Sequence, residues 1–130
     1  MGRPRRTSRP KLLTEVELEL MSALWQLGEG TVRDVLDQLR KGRNLAYTSV
    51  STILRILEDK KLVKSRKIGK AYAYRPAVSK SEYERRSLRH LVDKVFDGAP
   101  SAMVLRLLDD EGLSRRELRE IQRMLKEKLQ

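Results

Sequence analysis

At 130 residues with no cysteine, the chain can build one core or a small domain with an appendage, and disulfides, thiolate metal sites and cysteine nucleophiles are excluded. A single histidine cannot by itself supply a multi-histidine metal site, no apolar run approaches the roughly 20 residues of a membrane span, and no signal-peptide core follows the start; a soluble cytoplasmic protein is expected. The net charge is +11, and nearly all of the surplus sits in residues 40–75, which hold eleven basic side chains against two acidic ones. A solvated face would carry balanced charge, whereas a local block of this kind is the electrostatic footprint expected of a surface that meets a polyanion.

Residues 1–11 (MGRPRRTSRPK) are rich in Arg and Pro and free of acid, and read as a disordered basic tail. Thr14 and Glu17 have capping-box spacing and open a helix that runs to about Leu27, where Gly28 ends it. Leu13, Val16, Leu20, Leu24 and Leu27 form its apolar stripe, and Trp25 beside them reads as a core or interface anchor rather than a stacking platform. A second helix, roughly 32–41, follows Thr31 with Asp34 three residues on; it places Val32, Val35, Leu36 and Leu39 on one face and stops at Gly42.

A third helix, about 47–60, has helical apolar spacing at Val50, Ile53, Leu54 and Leu57, while its other face carries Thr48, Ser49, Ser51 and Thr52. Residues 44–54 bear no charge at all. The period then changes to two: residues 62–68 and 71–75 read as a short hairpin with Gly69 in its turn and alternating basic residues, closed by Pro76. Three helices and a basic hairpin are the order of a winged helix-turn-helix, in which the second helix of the turn enters the major groove.

The charge-free face then has a physical reason. Hydroxyls donate to or accept from base edges, threonine methyls touch thymine methyls, and glutamates there would repel phosphate. Thr48, Ser49, Ser51 and Thr52 are therefore the candidate base readers; the plainer alternative is that Thr48 and Ser49 merely satisfy the helix N-terminus. Cations at the margins are the candidate phosphate contacts: Arg43, Arg55, Lys60, Lys61, Arg66, Lys67 and Lys70.

Beyond a boundary near 77/78, Ser79 and Glu82 cap a helix of about 80–97 that carries Leu91, Val95 and Phe96. Gly98-Ala99-Pro100 breaks it, a short apolar helix over 102–108 bears Val104, Leu105 and Leu108, and Ser114 with Glu117 caps a last helix with Leu118, Ile121 and Leu125. These helices are too short and too apolar on one side for a monomeric core, so burial against a second copy is expected, and a twofold dimer suits a duplex with paired half-sites. The fold class expected is mainly α with a small β-hairpin wing: a winged helix-turn-helix domain over 12–77 and a three-helix dimerisation region over 78–130.

Several stretches resemble the penicillinase-repressor family of winged-helix repressors: Glu17-Leu18-Glu19-Leu20-Met21 ending in Trp25, Tyr47 to Thr52, the Lys60-Lys61-Leu62-Val63 exit, Asp93 to Gly98, and Leu113-Ser114 with Glu117-Leu118. The resemblance runs over residues 12–130. It implies a homodimer with intertwined C-terminal helices on a palindromic promoter operator, controlling β-lactamase or stress-response genes, with no small-molecule cofactor. In several members a membrane metalloprotease sensor inactivates the repressor by cleavage within the short dimerisation helix; that position maps onto Arg106-Leu107, where those members have an Asn-Phe pair. Copper-responsive relatives carry paired cysteines, which are missing here.

Two rivals stand beside this reading. An architectural DNA- or RNA-binding protein would use the same charge without sequence readout, but only Tyr47, Tyr72 and Tyr74 are near the basic block to stack unpaired bases. An enzyme would have to work with His90 and nearby Asp93 or Glu84, on a helix whose simplest role is packing; the chain is not expected to be an enzyme.

Overall fold

A computed structural model describes residues 12–40, 44–110 and 112–130. The expected tail over 1–11, the Gly42 helix stop and Arg43 lie outside these. The chain forms two compact units that divide between Ser87 and Leu88.

The first unit opens with α1 (Glu15–Leu27), capped as its sequence spacing requires: Glu17 N–H donates to Thr14 Oγ1 at 3.1 Å, and Thr14 N–H donates to Glu17 Oε1 at 3.0 Å. The helix ends at Gly28, whose φ of 82° a side chain would strain. A two-residue strand, β1 (Gly30–Thr31), leads into α2 (Val32–Leu39), where Thr31 and Asp34 form a second capping box. Then come α3 (Tyr47–Asp59), β2 (Val63–Ile68) and β3 (Ala71–Pro76). All strand pairs are antiparallel in the order β1-β3-β2, so the hairpin foreseen from alternation is the larger part of a three-stranded sheet. Two residues show no period, which is why β1 is invisible until β3 offers it an edge.

Leu20 and Leu24 of α1, Val35 and Leu36 of α2, and Val50, Leu54 and Leu57 of α3 meet in one core, which Val63 and Tyr74 of the sheet close. Trp25 is the anchor expected of it: its Nε1 donates to the Val78 carbonyl at 2.9 Å, and its ring lies 5.8 Å from that of Tyr83. Tyr83 belongs to α4 (Lys80–Val95), and its hydroxyl accepts the Leu13 N–H at 3.1 Å.

The second unit holds the rest of α4, then α5 (Pro100–Asp110) and α6 (Arg115–Leu129). Pro100, expected only as a breaker, is the first residue of α5; proline suits that position because the first N–H of a helix has no intrahelical acceptor. Val92 is the one buried side chain among the described residues of α4, α5 and α6.

Candidate nucleic-acid interface

The N-cap of α3 is Ala46, which has no side chain able to cap. Thr48 and Ser49 therefore follow the cap rather than supply it, and among the described residues neither makes a side-chain hydrogen bond; the same holds for Ser51 and Thr52. Thr48, Ser49 and Thr52 are exposed and Ser51 is half-buried, while Val50, Leu54 and Leu57 fix the opposite face in the core. The helix thus offers hydroxyls with unspent donors and acceptors on a rigidly seated surface.

Strand register sorts the wing by face. Ser65 lies opposite Tyr74 and Lys67 opposite Tyr72, and Ser65 Oγ donates to Glu58 Oε2 of α3 at 2.6 Å. By the two-residue alternation of a strand, Ser65, Lys67, Tyr72 and Tyr74 share the face toward α3, and Lys64, Arg66 and Arg75 take the other. Tyr74 is buried; loss of water pushes its hydroxyl above the usual tyrosine range, and the nearby Glu58 carboxylate adds to this.

The seven expected phosphate contacts divide in turn. Arg55, Lys61, Lys67 and Lys70 are exposed and form no ion pair among the described residues, and Arg43 lies outside those residues. Lys60 is committed internally: its Nζ sits 2.8 Å from Oε2 of Glu17, a residue only 7% exposed. Burial pushes the Glu17 carboxyl up, but the Lys60 ammonium and the Thr14 N–H outweigh it and hold the group below its ordinary value. Arg66 is committed too, its Nε and one Nη gripping the two carboxylate oxygens of Glu29 at 2.8 and 2.9 Å. That fork holds Glu29 below the usual carboxylate range.

Lys61 has φ 67°, uncommon for a residue with a side chain. It ends α3: its N–H donates to the Glu58 carbonyl, and the Leu62 N–H donates to that of Leu57, both at 2.9 Å.

One feature escaped the sequence reading. The Arg33 guanidinium of α2 lies 5.5 Å above the Tyr47 ring, and both border a groove of about 280 Å³ shared with Thr31, Ser51, Lys70 and Tyr72. Arg33 stands fourteen residues before Tyr47, outside the basic block, and no local pattern links the two.

In the second unit, Leu91, Phe96 and Ile121 are half-buried, while Val95, Val104, Leu105, Leu108, Leu118 and Leu125 are exposed. Leu107 is exposed beside Arg106, whose Nη1 pairs with Asp110 at 2.8 Å. His90 is half-buried on α4 with no hydrogen bond to Asp93, and Glu84 is held by Lys80 at 2.7 Å. Among the described residues, no group of three or more His, Cys, Asp and Glu could hold a metal ion, and no helix is long and apolar enough to cross a membrane.

Three helices, the third with exposed hydroxyls on its first two turns followed by an exposed Arg55, and a basic antiparallel hairpin against it define a winged helix-turn-helix protein. Residues 13–127 match the family model described as penicillinase repressor. The chain belongs to that family, whose members are DNA-binding transcriptional repressors. It is 25% identical over 115 residues to the penicillinase repressor of Bacillus licheniformis, spanning 88% of this chain and 90% of that one. It is 22% identical over 116 residues to the methicillin resistance regulatory protein MecI of Mammaliicoccus sciuri, spanning 89% and 94%. The DNA-binding domain of the repressor BlaI superposes with a TM-score of 0.50 at 25% identity, over 58% of this chain and 94% of that domain.

Proposed function

We propose that this protein is a cytoplasmic, sequence-specific repressor that binds a palindromic promoter operator as a homodimer, with a reading domain over 12–77 and a dimerisation region over 78–130. The observation that carries the reading is the α3 surface: four hydroxyls free of capping duty, flanked by exposed cations, on a helix locked to the core by Val50, Leu54 and Leu57. Thr48, Ser49, Ser51 and Thr52 read base edges. Arg43, Arg55, Lys61, Lys67 and Lys70 grip phosphate, while Lys60 and Arg66 hold the reading domain together and engage DNA only by leaving Glu17 and Glu29. The exposed apolar side chains of α5 and α6 favour a second copy as their partner, since water is a poor neighbour for Leu105 at 57% exposure and Leu125 likewise at 57%. The regulated genes are a β-lactamase or stress-response set, in keeping with the names of the relatives. Release follows proteolysis in α5, with Arg106-Leu107 as the bond and a membrane metalloprotease sensor as the agent, or another signal that undoes the dimer.

Selection of bound fragments from a genomic duplex library by the purified protein tests this. Enrichment of an inverted repeat upstream of a small set of genes is the expected result. Binding that tracks salt alone, with no sequence enriched, would make the protein an architectural one and sink the proposal.

A further inference from the structure

The groove between α2, α3 and the wing has a lining unlike the rest of the basic surface. Arg33 and Lys70 supply two positive charges, Thr31, Ser51 and Tyr72 supply hydroxyls, and no carboxylate lines it. Asp34, the nearest acid in sequence, is turned back: its Oδ2 accepts the Thr31 N–H at 3.0 Å, and its own N–H donates to Thr31 Oγ1. The Thr31 and Asp34 amides are thereby occupied, and the positive charge offered to an anion is that of the Arg33 and Lys70 side chains. Arg33 differs from Arg66 in having no carboxylate to hold it among the described residues. What it meets instead is the Tyr47 ring, 5.5 Å from its Cζ, and a cation–π contact of this kind leaves the guanidinium N–H groups free. A planar fork with its donors unspent suits a tetrahedral oxyanion that accepts two hydrogen bonds side by side.

We infer that this groove is a phosphate subsite, in which Arg33, held over Tyr47, grips one backbone phosphodiester of duplex DNA and Lys70 closes on it from the wing. The inference rests on the DNA-binding reading above and deepens it. Ser51 belongs both to the reading face of α3 and to the groove wall, so the strand whose bases are read runs past the fork. Arg33 is then a positioning residue: it sets the register of α3 in the major groove and reads no base itself.

Duplexes carrying one uncharged methylphosphonate at a time, assayed with the full chain, locate the contact. Wild-type protein should lose about three- to tenfold in affinity at one position of each half-site, and Arg33→Ala should lose as much on the unmodified duplex with no further loss at that position. The slope of log affinity against log salt should fall by about 0.9 for Arg33→Ala, equally on operator and random duplexes. Arg33→Lys, which keeps the charge without the fork, should retain the slope and bind more weakly than wild type. An unchanged slope for Arg33→Ala overturns the inference, and Lys67→Ala distinguishes the larger failure: if it still lowers the slope, the DNA face stands without Arg33. Inorganic phosphate is the second arm. If it shifts the Arg33 and Lys70 side-chain resonances while no methylphosphonate position responds to Arg33→Ala, the groove takes a free anion and the diester assignment is wrong.

Discussion

Thr52 of α3 and Lys67 of the wing are both exposed, and their loss should be felt in different measurements. A hydroxyl removed from α3 takes away a contact that only the right base completes. Thr52→Ala or Ser49→Ala should therefore weaken operator binding by about 1–3 kcal/mol and leave random duplex nearly untouched. Lys67→Ala should weaken both alike and flatten the salt slope by about one unit. Parallel losses on both duplexes for the hydroxyl variants would assign them to the backbone instead. Glu17 illustrates a charge used for stability. Its carboxyl titrates below its ordinary value of 4.5 in the folded chain, so as pH falls the unfolded chain takes up the proton first. The contribution of the Glu17–Lys60 pair is complete at neutral pH, fades below about pH 4.5 and is gone once the pH has fallen through the folded value. Glu17→Gln should cost about 1–2 kcal/mol at pH 7, with the gap to wild type narrower at pH 3. Urea titrations at both pH values check this; a gap indifferent to pH would mean that shape, not charge, is lost.

Among the elements, the wing is where charge along the chain and charge available to a ligand differ most. Arg66 contributes to the basic block by count, but Glu29 cancels it in space. Replacing the pair together, Glu29→Gln with Arg66→Gln, should leave the salt slope of DNA binding within about 0.3 of wild type, against a loss of about 0.9 for Lys67→Ala. A loss in the double variant equal to that of Lys67→Ala would show that Arg66 leaves Glu29 for phosphate. Periodicity and capping residues were enough to read the helices: Thr14 with Glu17 and Ser114 with Glu117 cap where their spacing says, because a capping box is a local device. The hydroxyl face of α3 was also visible, since a charge-free run stands out in a charged chain. The commitments of Lys60 and Arg66 were not, because their partners lie 43 and 37 residues away and only the packed fold brings them together. Arg33 was missed for the same reason: its role depends on Tyr47 being folded under it.

For the whole molecule, the proposed dimer turns on what would make two reading domains act as one. A linked pair binds its second half-site at an effective concentration far above that of free protein, so cutting the link forfeits affinity with every DNA-contacting residue intact. Leu105→Asp places a charge amid the exposed apolar side chains of α5 and should give monomers with an undisturbed first unit and little operator affinity. Sedimentation and DNA binding on the same sample decide the matter; a monomer that still occupies the operator at ordinary concentration would remove dimerisation from the mechanism.

The left-handed backbone of Lys61 sets heat tolerance against regulation. Glycine occupies that conformation without strain, so Lys61→Gly should stabilise the fold by about 0.5–1 kcal/mol and raise the melting temperature by about 2–5 °C. It also deletes an exposed cation at the exit of α3, so the hardier protein should hold duplex DNA less tightly, by about one phosphate contact in the salt slope. A thermal melt and a binding titration on the same variant would show both changes together. Selection for durability alone would then yield a sturdier protein that is slower to silence its genes.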